Sequence, residues 1–403
     1  MNIAIVHSAF NESGGAERLI LQESLFLGKN HRVICYGTDV QAKHCFPDLI
    51  SRVKTQEIVK VPLPVGHFVS SLLLTMPLVP HITSRFRNFD VILAHHQPGP
   101  WIGYNVRERW AIPYVCYVHH PLRFLYPRAV DLAAGWGYTP DRKIIGFFGR
   151  KLKGLREIDL ISVGEADRIL VNSRRIGGMV REIYGRPDFT VCYPSLNVDK
   201  YKPLSSFETK YVLEKYGVSK PFVLTSGRHT YTKRFEWLIG MMPEITRTVS
   251  SSLVICGQLT RDVTPILQET AKKLKVEKHV RIIGHVPERD LISLYNEASA
   301  YAYSPPLEDF GYGPVEAMAC GTPAVVWGDE GGVRETVVNG ETGFHAAPYD
   351  LADFAGKLID LLVDGSLRDK LGRNAVALVN REFSMERHGG ILEETLQSVA
   401  KKH

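Results

Sequence analysis

The sequence predicts an α/β protein built from two doubly wound parallel-sheet domains. Short runs of β-branched and apolar residues alternate with amphipathic helical patterns along all 403 residues, which is typical of a parallel sheet covered by helices on both faces. The runs form two series, separated by the polar stretch 199–220. Since open sheets of this kind bind ligands outside the carboxyl ends of their strands, we expect the functional residues there.

Eleven strands are predicted from these runs. Those of the first series cover residues 2–7, 31–37, 90–95, 114–119, 168–173 and 189–194. Those of the second cover residues 221–227, 252–257, 279–284, 300–305 and 323–328. We place the first domain at residues 1–203 and the second at residues 204–382, because each series is long enough to bury a core of its own.

The composition indicates a globular protein. Hydrophobic residues make up 44% and charged residues 23% of the chain. The longest apolar stretch, residues 68–82, is shorter than a membrane span and is broken by two prolines. Met1 leads directly into the first strand, so we expect no secretory signal. The six cysteines form no C-x-x-C pair, which favours reduced, buried thiols and a cytoplasmic location.

Positive charge is concentrated in the first half of the chain. Residues 1–203 contain 26 Lys and Arg against 17 Asp and Glu, whereas the rest contains 23 against 26. Such asymmetry suggests an anionic partner: nucleic acid, a membrane surface or a phosphate-bearing acceptor. The segment 140–157 mixes six cations with apolar residues. It is either a solvated connection or an interfacial segment that meets anionic lipid.

The loop after the first strand contains a candidate phosphate site. Ser13 is placed as the cap of a helix whose first turn holds Gly14 and Gly15 and which Gly28 ends. Bare N–H groups at such a helix start attract phosphate, although a tight turn would also use glycine. The residues after His7 do not fit the G-x-G-x-x-G fingerprint of dinucleotide-binding proteins.

Two further loops at strand ends contain candidate site residues. His119 and His120 follow the fourth strand, where a histidine can act as a base, donate to a substrate hydroxyl or fill space. Arg228 and Lys233 follow the first strand of the second series. They can bind phosphate oxygens or remain solvated cations.

The loop after residue 305 places two acids beside a predicted anion site. A helix is expected to begin near Pro314, with Gly313 as its N-cap and with the N–H groups of residues 311–313 directed at an anion. Glu316 then falls at the third helical position, where it either bonds the helix start or holds a ligand. Glu308 lies in the loop itself. Two acids around an anion site suit a diphosphate flanked by hydroxyl-bearing sugars, as in a nucleotide-sugar.

These motifs resemble those of glycosyltransferase family 4, which contains retaining enzymes with the GT-B fold. Glu308 and Glu316 form its E-x7-E signature within "EDFGYGPVEAMACGTPAVV", and "GGAER", "HHPLRF" and "GRHTYTKR" extend the resemblance over essentially the whole chain. "HHPLRF" with "EDFG" is most similar to bacterial polysaccharide and O-antigen hexosyltransferases, often mannosyltransferases. His120 stands where their consensus has Ser or Thr. The fold implied is two facing Rossmann-like domains with a deep interdomain cleft, and residues 383–403 as a helix crossing back to the first domain.

The resemblance implies a role for each candidate. His119 and Glu308 would be catalytic, with Glu308 holding hydroxyls of the donor sugar and His119 lying near the reacting centre. Glu316 would hold the ribose, and Arg228 and Lys233 would neutralise the diphosphate. Other residues implied at the nucleotide-sugar are Gly15, Gly257, Val286, Phe310, Gly311, Tyr312 and Gly313. Arg123 is placed on the acceptor side.

The predicted function is hexosyl transfer without a metal or other cofactor. The sequence contains no Asp-x-Asp, the carboxylate pair that would hold a divalent ion on the diphosphate. The donor would be a UDP- or GDP-hexose and the acceptor a polysaccharide or lipid-linked oligosaccharide, with an anionic membrane surface as a candidate partner, no nucleic acid, and a cytoplasmic or peripheral membrane location. The alternatives are a nucleotide-sugar epimerase, a sugar-phosphate synthase or a non-catalytic nucleotide-sugar-binding protein.

Overall fold

A computed structural model describes residues 1–58, 75–128, 130, 132 and 149–401. These residues form two compact units. The first contains residues 1–58, 75–128, 149–195 and 385–401. The second contains residues 196–384 together with residues 130 and 132.

The first unit is built on a seven-stranded parallel sheet. Its strands are β1 (Asn2–Val6), β2 (Arg32–Gly37), β3 (Thr55–Glu57), β4 (Val91–Ala94), β5 (Tyr114–Val118), β6 (Arg168–Val171) and β7 (Phe189–Val191). Their order across the sheet is β3-β2-β1-β4-β5-β6-β7. The direction of winding reverses at β1, whose Ile3 pairs with Val33 on one side and Val91 on the other.

The second unit repeats this topology in a six-stranded parallel sheet. Its strands are β8 (Phe222–Ser226), β9 (Ser252–Cys256), β10 (Val280–Gly284), β11 (Ala300–Tyr303), β12 (Ala324–Trp327) and β13 (Gly343–Ala346), in the order β10-β9-β8-β11-β12-β13. Here the winding reverses between β8 and β11. In open sheets this switch point is where ligands bind, beyond the carboxyl ends of the strands.

Helices cover both sheets. In the first unit they are α1 (Gly15–Leu27), α2 (Pro47–Ile50), α3 (Val79–Ile82), α4 (Gly99–Trp110), α5 (Gly149–Gly164) and α6 (Arg174–Tyr184). In the second they are α7 (Ser206–Thr209), α8 (Tyr211–Tyr216), α9 (Phe235–Thr248), α10 (Thr264–Lys273), α11 (Glu288–Glu297), α12 (Tyr312–Ala319), α13 (Val333–Thr336), α14 (Leu351–Val363) and α15 (Gly365–Glu382). The last helix, α16 (Met385–Ala400), belongs to the first unit. Short 3₁₀ turns lie at Met76–Leu78, Thr83–Phe86 and Tyr231–Lys233.

Strand periodicity explains why the sheet of the first unit has a hydrophobic core on each face. Alternate residues of β1 point to opposite faces, so Ala4 and Val6 pack with α4 and α6 while Ile3 and Ile5 pack with α1 and α16. Leu392, Leu396 and Val399 of α16 are buried in this second core. Each fully buried side chain of this size stabilises the fold by about 1.5–3 kcal/mol, so α16 is an integral part of the first unit.

The eleven predicted strands are all present, with ends that differ by up to three residues. Two more strands, β3 and β13, lie at one edge of each sheet and were not predicted. In the part of the chain that is described, no helix combines the length and apolar character needed to cross a membrane.

Candidate functional site

Three side chains form a hydrogen-bonded cluster at the switch point of the second sheet. Tyr303 ends β11, and Lys233 and Glu308 lie in the loops that follow β8 and β11. The Lys233 ammonium lies 3.0 Å from Glu308 Oε2 and donates to the Tyr303 hydroxyl at 3.1 Å. That hydroxyl in turn donates to the same carboxylate oxygen at 2.9 Å. Two predicted site residues of opposite charge are therefore bridged by a tyrosine that the sequence did not single out.

Helix α12, which follows this cluster, begins two residues earlier than predicted. Its first residue is Tyr312 and its N-cap is Gly311, with φ of 83°. The expectation of a helix beginning near Pro314 with Gly313 as its cap is therefore wrong. Glu316 occupies the fifth helical position, too far along to bond the helix start, which removes the capping alternative for its carboxylate. The buried Tyr295 hydroxyl donates to Glu316 Oε2 at 2.9 Å instead.

Two of the predicted glycines are required by close backbone packing. A Cβ on Gly313 would lie 2.2 Å from the Tyr301 hydroxyl. Gly257 has φ of 138°, and a Cβ there would lie 1.9 Å from the carbonyl oxygen of Gly227. Larger residues at either position would displace the loops that the strand ends support.

The other residues predicted at the nucleotide-sugar are spread over the same edge of the second unit. Arg228 is exposed, two residues after β8, whereas Val286 and Phe310 are buried. The Phe310 ring packs edge-on against Tyr312 at 5.3 Å and against Phe383 at 5.8 Å. Phe310 thus anchors the start of α12 from inside, and Arg228 adds a second cation beyond the sheet edge.

In the first unit, histidines gather at the carboxyl ends of β4 and β5. His119 follows β5, and its Nε2 lies 2.9 Å from Nδ1 of His95, which follows β4. The ring of His96 stacks on His119 at 4.8 Å. Burial, and then the neighbouring His96, hold the pKa of His119 well below the usual range, so this imidazole is neutral at pH 7. A neutral imidazole both donates and accepts one hydrogen bond.

Ser13 does not cap α1, contrary to expectation. The N-cap is Gly14 and the helix begins at Gly15. The Ser13 hydroxyl donates instead to the carbonyl oxygen of His44 at 3.0 Å. Gly28 is the C-cap, as predicted, although it keeps a right-handed conformation.

The start of α1 already faces a carboxylate of its own chain. Glu17 Oε1 lies 3.0 Å from Nε2 of His7. Burial alone would raise the pKa of Glu17, but His7 and the backbone N–H groups of Gly14 and Glu17 lower it. A donor phosphate near Gly15 would therefore share this helix start with an anion.

Arg123 and His120 follow His119 in the turn after β5, and both are partly exposed. His120 Nδ1 lies 2.9 Å from the carbonyl oxygen of Pro121. The first half of the basic segment, residues 140–148, lies outside the described residues, and its second half begins α5.

A cavity of about 580 Å³ lies elsewhere in the first unit, lined by Met1, Asp90, Ala111, Ile112, Pro113, Gln397, Ala400 and Lys401. It adjoins the amino ends of β1, β4 and β5, at the edge of the sheet opposite His119, and contains none of the candidate residues. Within the described ranges, no group of three or more His, Cys, Asp or Glu is arranged to hold a metal ion.

Two family models match the chain, one in each half. The model for Glycosyltransferase Family 4 matches residues 13–200, and that for Glycosyl transferases group 1 matches residues 214–377. The chain is a family 4 glycosyltransferase.

Relatives of the glycosyltransferase span most of its length. It is 26% identical over 313 residues to an uncharacterized glycosyltransferase of Methanocaldococcus jannaschii, covering 76% of this chain and 74% of that protein. It is 27% identical over 297 residues to the D-inositol 3-phosphate glycosyltransferase of Nocardia farcinica, covering 72% of this chain and 62% of that protein.

Crystal structures of the Anabaena protein HepE confirm the fold. The complexes of HepE with UDP and with UDP-glucose match the glycosyltransferase with TM-scores of 0.79 and 0.75 and 20% sequence identity, over 99% of this chain and 100% of theirs. The predicted GT-B fold is thereby confirmed.

Sequence reasoning missed several polar residues around the sites of the glycosyltransferase. His95 ends a predicted strand, as His119 does, so the strand-end argument could have identified it. Tyr303 ends the run "AYAY". Its two tyrosines are two residues apart and so lie on the same face of β11, but the pattern does not show what their hydroxyls contact. The carboxylate of Glu23 has no sequence signal, because its partners lie far along the chain.

Proposed function

We propose that this glycosyltransferase moves a hexose from a nucleotide-sugar, with UDP- and GDP-hexoses as the candidates, to a polysaccharide or lipid-linked oligosaccharide. Transfer proceeds with retention of anomeric configuration and without a metal. The observation that supports the proposal most directly is the contact between Lys233, Tyr303 and Glu308 at the switch point of the second sheet.

The cluster provides two complementary groups for such a donor. Lys233 and Glu308 are about three-quarters buried, so their attraction is stronger than between fully solvated ions. A diphosphate carries more negative charge than one carboxylate and competes with Glu308 for the ammonium. Once Lys233 turns to the phosphate, the Glu308 carboxylate accepts hydrogen bonds from sugar hydroxyls. HepE, which has the same fold, forms complexes with UDP and UDP-glucose.

The N-terminus of α12 supplies further positive field for the diphosphate. The N–H groups at Gly311, Tyr312 and Gly313 lie where the helix dipole favours an anion. Arg228 is exposed in the loop after β8, five residues before Lys233, and offers a fork of donors. Fixed cations and helix N–H groups of this kind stabilise a departing diphosphate without a metal. Together with the absence of Asp-x-Asp, they support metal-independent transfer.

Glu316 is assigned to the ribose of the donor. Its carboxylate is buried and oriented by the Tyr295 hydroxyl at 2.9 Å. An oriented carboxylate binds a pair of neighbouring hydroxyls with little loss of side-chain entropy. Removing Glu316 should therefore weaken nucleotide binding rather than slow the chemical step.

A donor screen tests this assignment. Thermal shifts are measured with UDP-, GDP- and ADP-sugars, where a ligand at 100 times its Kd stabilises the fold by about 2.7 kcal/mol. Lys233→Gln should abolish the shift given by the active donor. The matched control is Lys273→Gln, since Lys273 is an exposed lysine that pairs with Glu269 on α10. No shift with any nucleotide-sugar, or equal losses in both variants, would contradict the proposal.

The acceptor side is tested separately. Transfer is followed by NMR of the product, whose anomeric configuration decides between retention and inversion. Arg123→Gln should weaken acceptor binding and leave donor binding intact.

Sedimentation with anionic and neutral liposomes tests whether segment 140–157 attaches the protein to membranes. Equal binding to both kinds of liposome would refute the proposed role of anionic lipid.

A further inference from the structure

Four buried ionisable side chains form an unbroken line through the first unit. They come from the ends of β5 and β4, from α1 and from α16: His119, His95, Glu23 and His388. His119 Nε2 lies 2.9 Å from His95 Nδ1, and His95 Nε2 lies 3.0 Å from Glu23 Oε2. Glu23 Oε1 lies 2.9 Å from His388 Nε2. Each of the four is at most 7% exposed.

The two residues at one end of the line, Glu23 and His388, form a charged pair. Burial would raise the pKa of Glu23, but His95 and His388 lower it to about 2, so Glu23 is a carboxylate. His388 faces acceptors on both sides, because its Nδ1 lies 2.8 Å from the carbonyl oxygen of Tyr193. Both of its nitrogens must therefore carry protons. Burial lowers the pKa of His388, but contacts with Cys192 and Glu23 raise it well above the usual range.

The charged pair fixes the protons on the two histidines that follow. Burial, the largest influence, lowers the pKa of His95, so this ring has one proton at pH 7. The 3.0 Å contact between His95 Nε2 and Glu23 Oε2 is an ion-pair distance without the alignment of a hydrogen bond. A carboxylate so close repels a bare lone pair, hence the proton lies on Nε2, towards Glu23, and Nδ1 is a bare acceptor. His119 must then donate to His95 through its own Nε2. Its remaining nitrogen, Nδ1, carries the lone pair, and no partner for that atom is found among the described residues.

We propose that Glu23 and His388 are positioning residues that hold His119 as its Nε2–H tautomer, so that Nδ1 accepts a hydrogen bond from a hydroxyl of the substrate. The inference rests on the proposed function in one respect, that His119 meets the sugar. His388 lies in α16, so the helix that follows the second unit sets the chemistry of a residue at the end of β5.

Other titratable groups around His119 do not offer it a competing proton. His7, His96 and His120 surround the ring, and with burial they disfavour its charged form. The pKa of His96 is itself held well below the usual range, first by burial and then by His120. Glu17 contacts His7 and lies outside the line. Charge in the line is thus confined to Glu23 and His388.

The decisive variant is His388→Gln, which keeps a donor for Glu23 but removes the positive charge. Glu23 is then a buried carboxylate without its cation, which is costly unless a proton is recruited. His95 takes that proton and donates through Nδ1. His119 must then accept at Nε2 and carry its proton on Nδ1. Loss of a charge three residues along the line therefore inverts the tautomer of His119.

The double variant Glu23→Gln with His388→Gln should reverse this effect. The amide that replaces the Glu23 carboxylate is neutral, so no proton is recruited, and its oxygen faces His95 Nε2–H as the carboxylate does. His119 returns to the Nε2–H form. A second mutation that repairs the first is not expected if these residues serve packing alone.

The experiment is long-range ¹H–¹⁵N correlation spectroscopy of ¹⁵N-histidine-labelled full-length protein at pH 7, which reads the protonation of each ring nitrogen. Wild type should show His388 with two ring protons and His119 with one, on Nε2. His388→Gln should invert His119 and lower kcat about 10²-fold or more, as misplaced histidine protons do in other enzymes, with little change in nucleoside diphosphate affinity. The double variant should regain at least about tenfold of that loss.

Glu17→Gln is the control, since it removes a partly buried carboxylate of the same helix that contacts His7; it should leave the rings of His95 and His119 unchanged. A singly protonated His388 in wild type overturns the proposal even if no variant folds. So does a His119 tautomer that His388→Gln does not alter. If the tautomer inverts and is restored but the transfer rate stays constant, the positioning network stands and the catalytic role of His119 is wrong.

Discussion

Replacing Tyr303 with Phe isolates the hydroxyl that joins Lys233 to Glu308. That hydroxyl accepts from the ammonium at 3.1 Å and donates to the carboxylate at 2.9 Å. Hydrogen bonds to charged groups contribute about 1.5–3 kcal/mol each. Once Lys233 turns to the diphosphate, only the bond to Glu308 remains, and because the two charged side chains are about a quarter exposed we discount that bond to about 1.4–2.7 kcal/mol. This corresponds to a loss of about 10- to 100-fold in kcat/KM for the donor.

The assay compares kcat/KM for transfer with the Kd of the nucleoside diphosphate measured by calorimetry. Tyr303→Phe should reduce kcat/KM, because Glu308 is no longer held for the sugar, and should change the Kd by no more than about threefold. Tyr301→Phe is the matched control. It removes the same atom from a buried tyrosine of the same strand, whose hydroxyl contacts Ser226 at 2.8 Å instead of the charged pair. A Tyr303→Phe enzyme within about twofold of wild type, or equal losses in both variants, would refute the reasoning.

Three further predictions concern charge. Glu308→Gln should lower turnover by orders of magnitude while the nucleoside diphosphate still binds, whereas Glu316→Gln should chiefly raise its Kd; similar effects of both on binding would contradict the separate roles. Activity should survive exhaustive chelation, and loss with EDTA that magnesium or manganese reverses would show that a metal is required. The ionised Glu23 carboxylate stabilises the fold fully above its ordinary pKa of 4.5, and this stabilisation is lost as pH falls towards about 2. The protonated His388 stabilises the fold fully below 6.5, and this stabilisation is lost as pH rises further. Glu23→Gln should therefore lower Tm most between about pH 4.5 and 6.5, where it removes about 3 kcal/mol or more, and a deficit independent of pH would argue against a charged pair.

The sequence predicted the strands well because their signal is local. Central strands of a parallel sheet are buried on both faces and read as continuous apolar runs, as in "NIAIV" of β1. The two missed strands are edge strands. β3 consists of Thr55, Gln56 and Glu57, whose polar side chains give no apolar run, and β13 begins at a glycine. Backbone pairing with the neighbouring strand, β2 for β3 and β12 for β13, is what makes these segments strands.

The candidate site was predictable in its positions but not in its contacts. Strand ends located Lys233, His119 and Glu308 without any knowledge of rotamers. The start of α12 was misplaced because proline is common at the first helical position, which pointed to Pro314. In the structure Gly311 takes the left-handed conformation that precedes the helix. The bond between Glu23 and His388 spans 365 residues, and no periodicity encodes a contact of that range.

The composition of the first unit constrains how the chain can fold during synthesis. Ribosomes make proteins from the amino end, yet the core around Ile3 and Ile5 is completed by Leu392, Leu396 and Val399 of α16. Until α16 emerges, Glu23 has no His388 to compensate its charge and one face of the sheet lacks its cover. The first unit therefore cannot complete its fold until the second half of the polypeptide has been translated. Until then the nascent chain exposes apolar surface of the kind that chaperones bind.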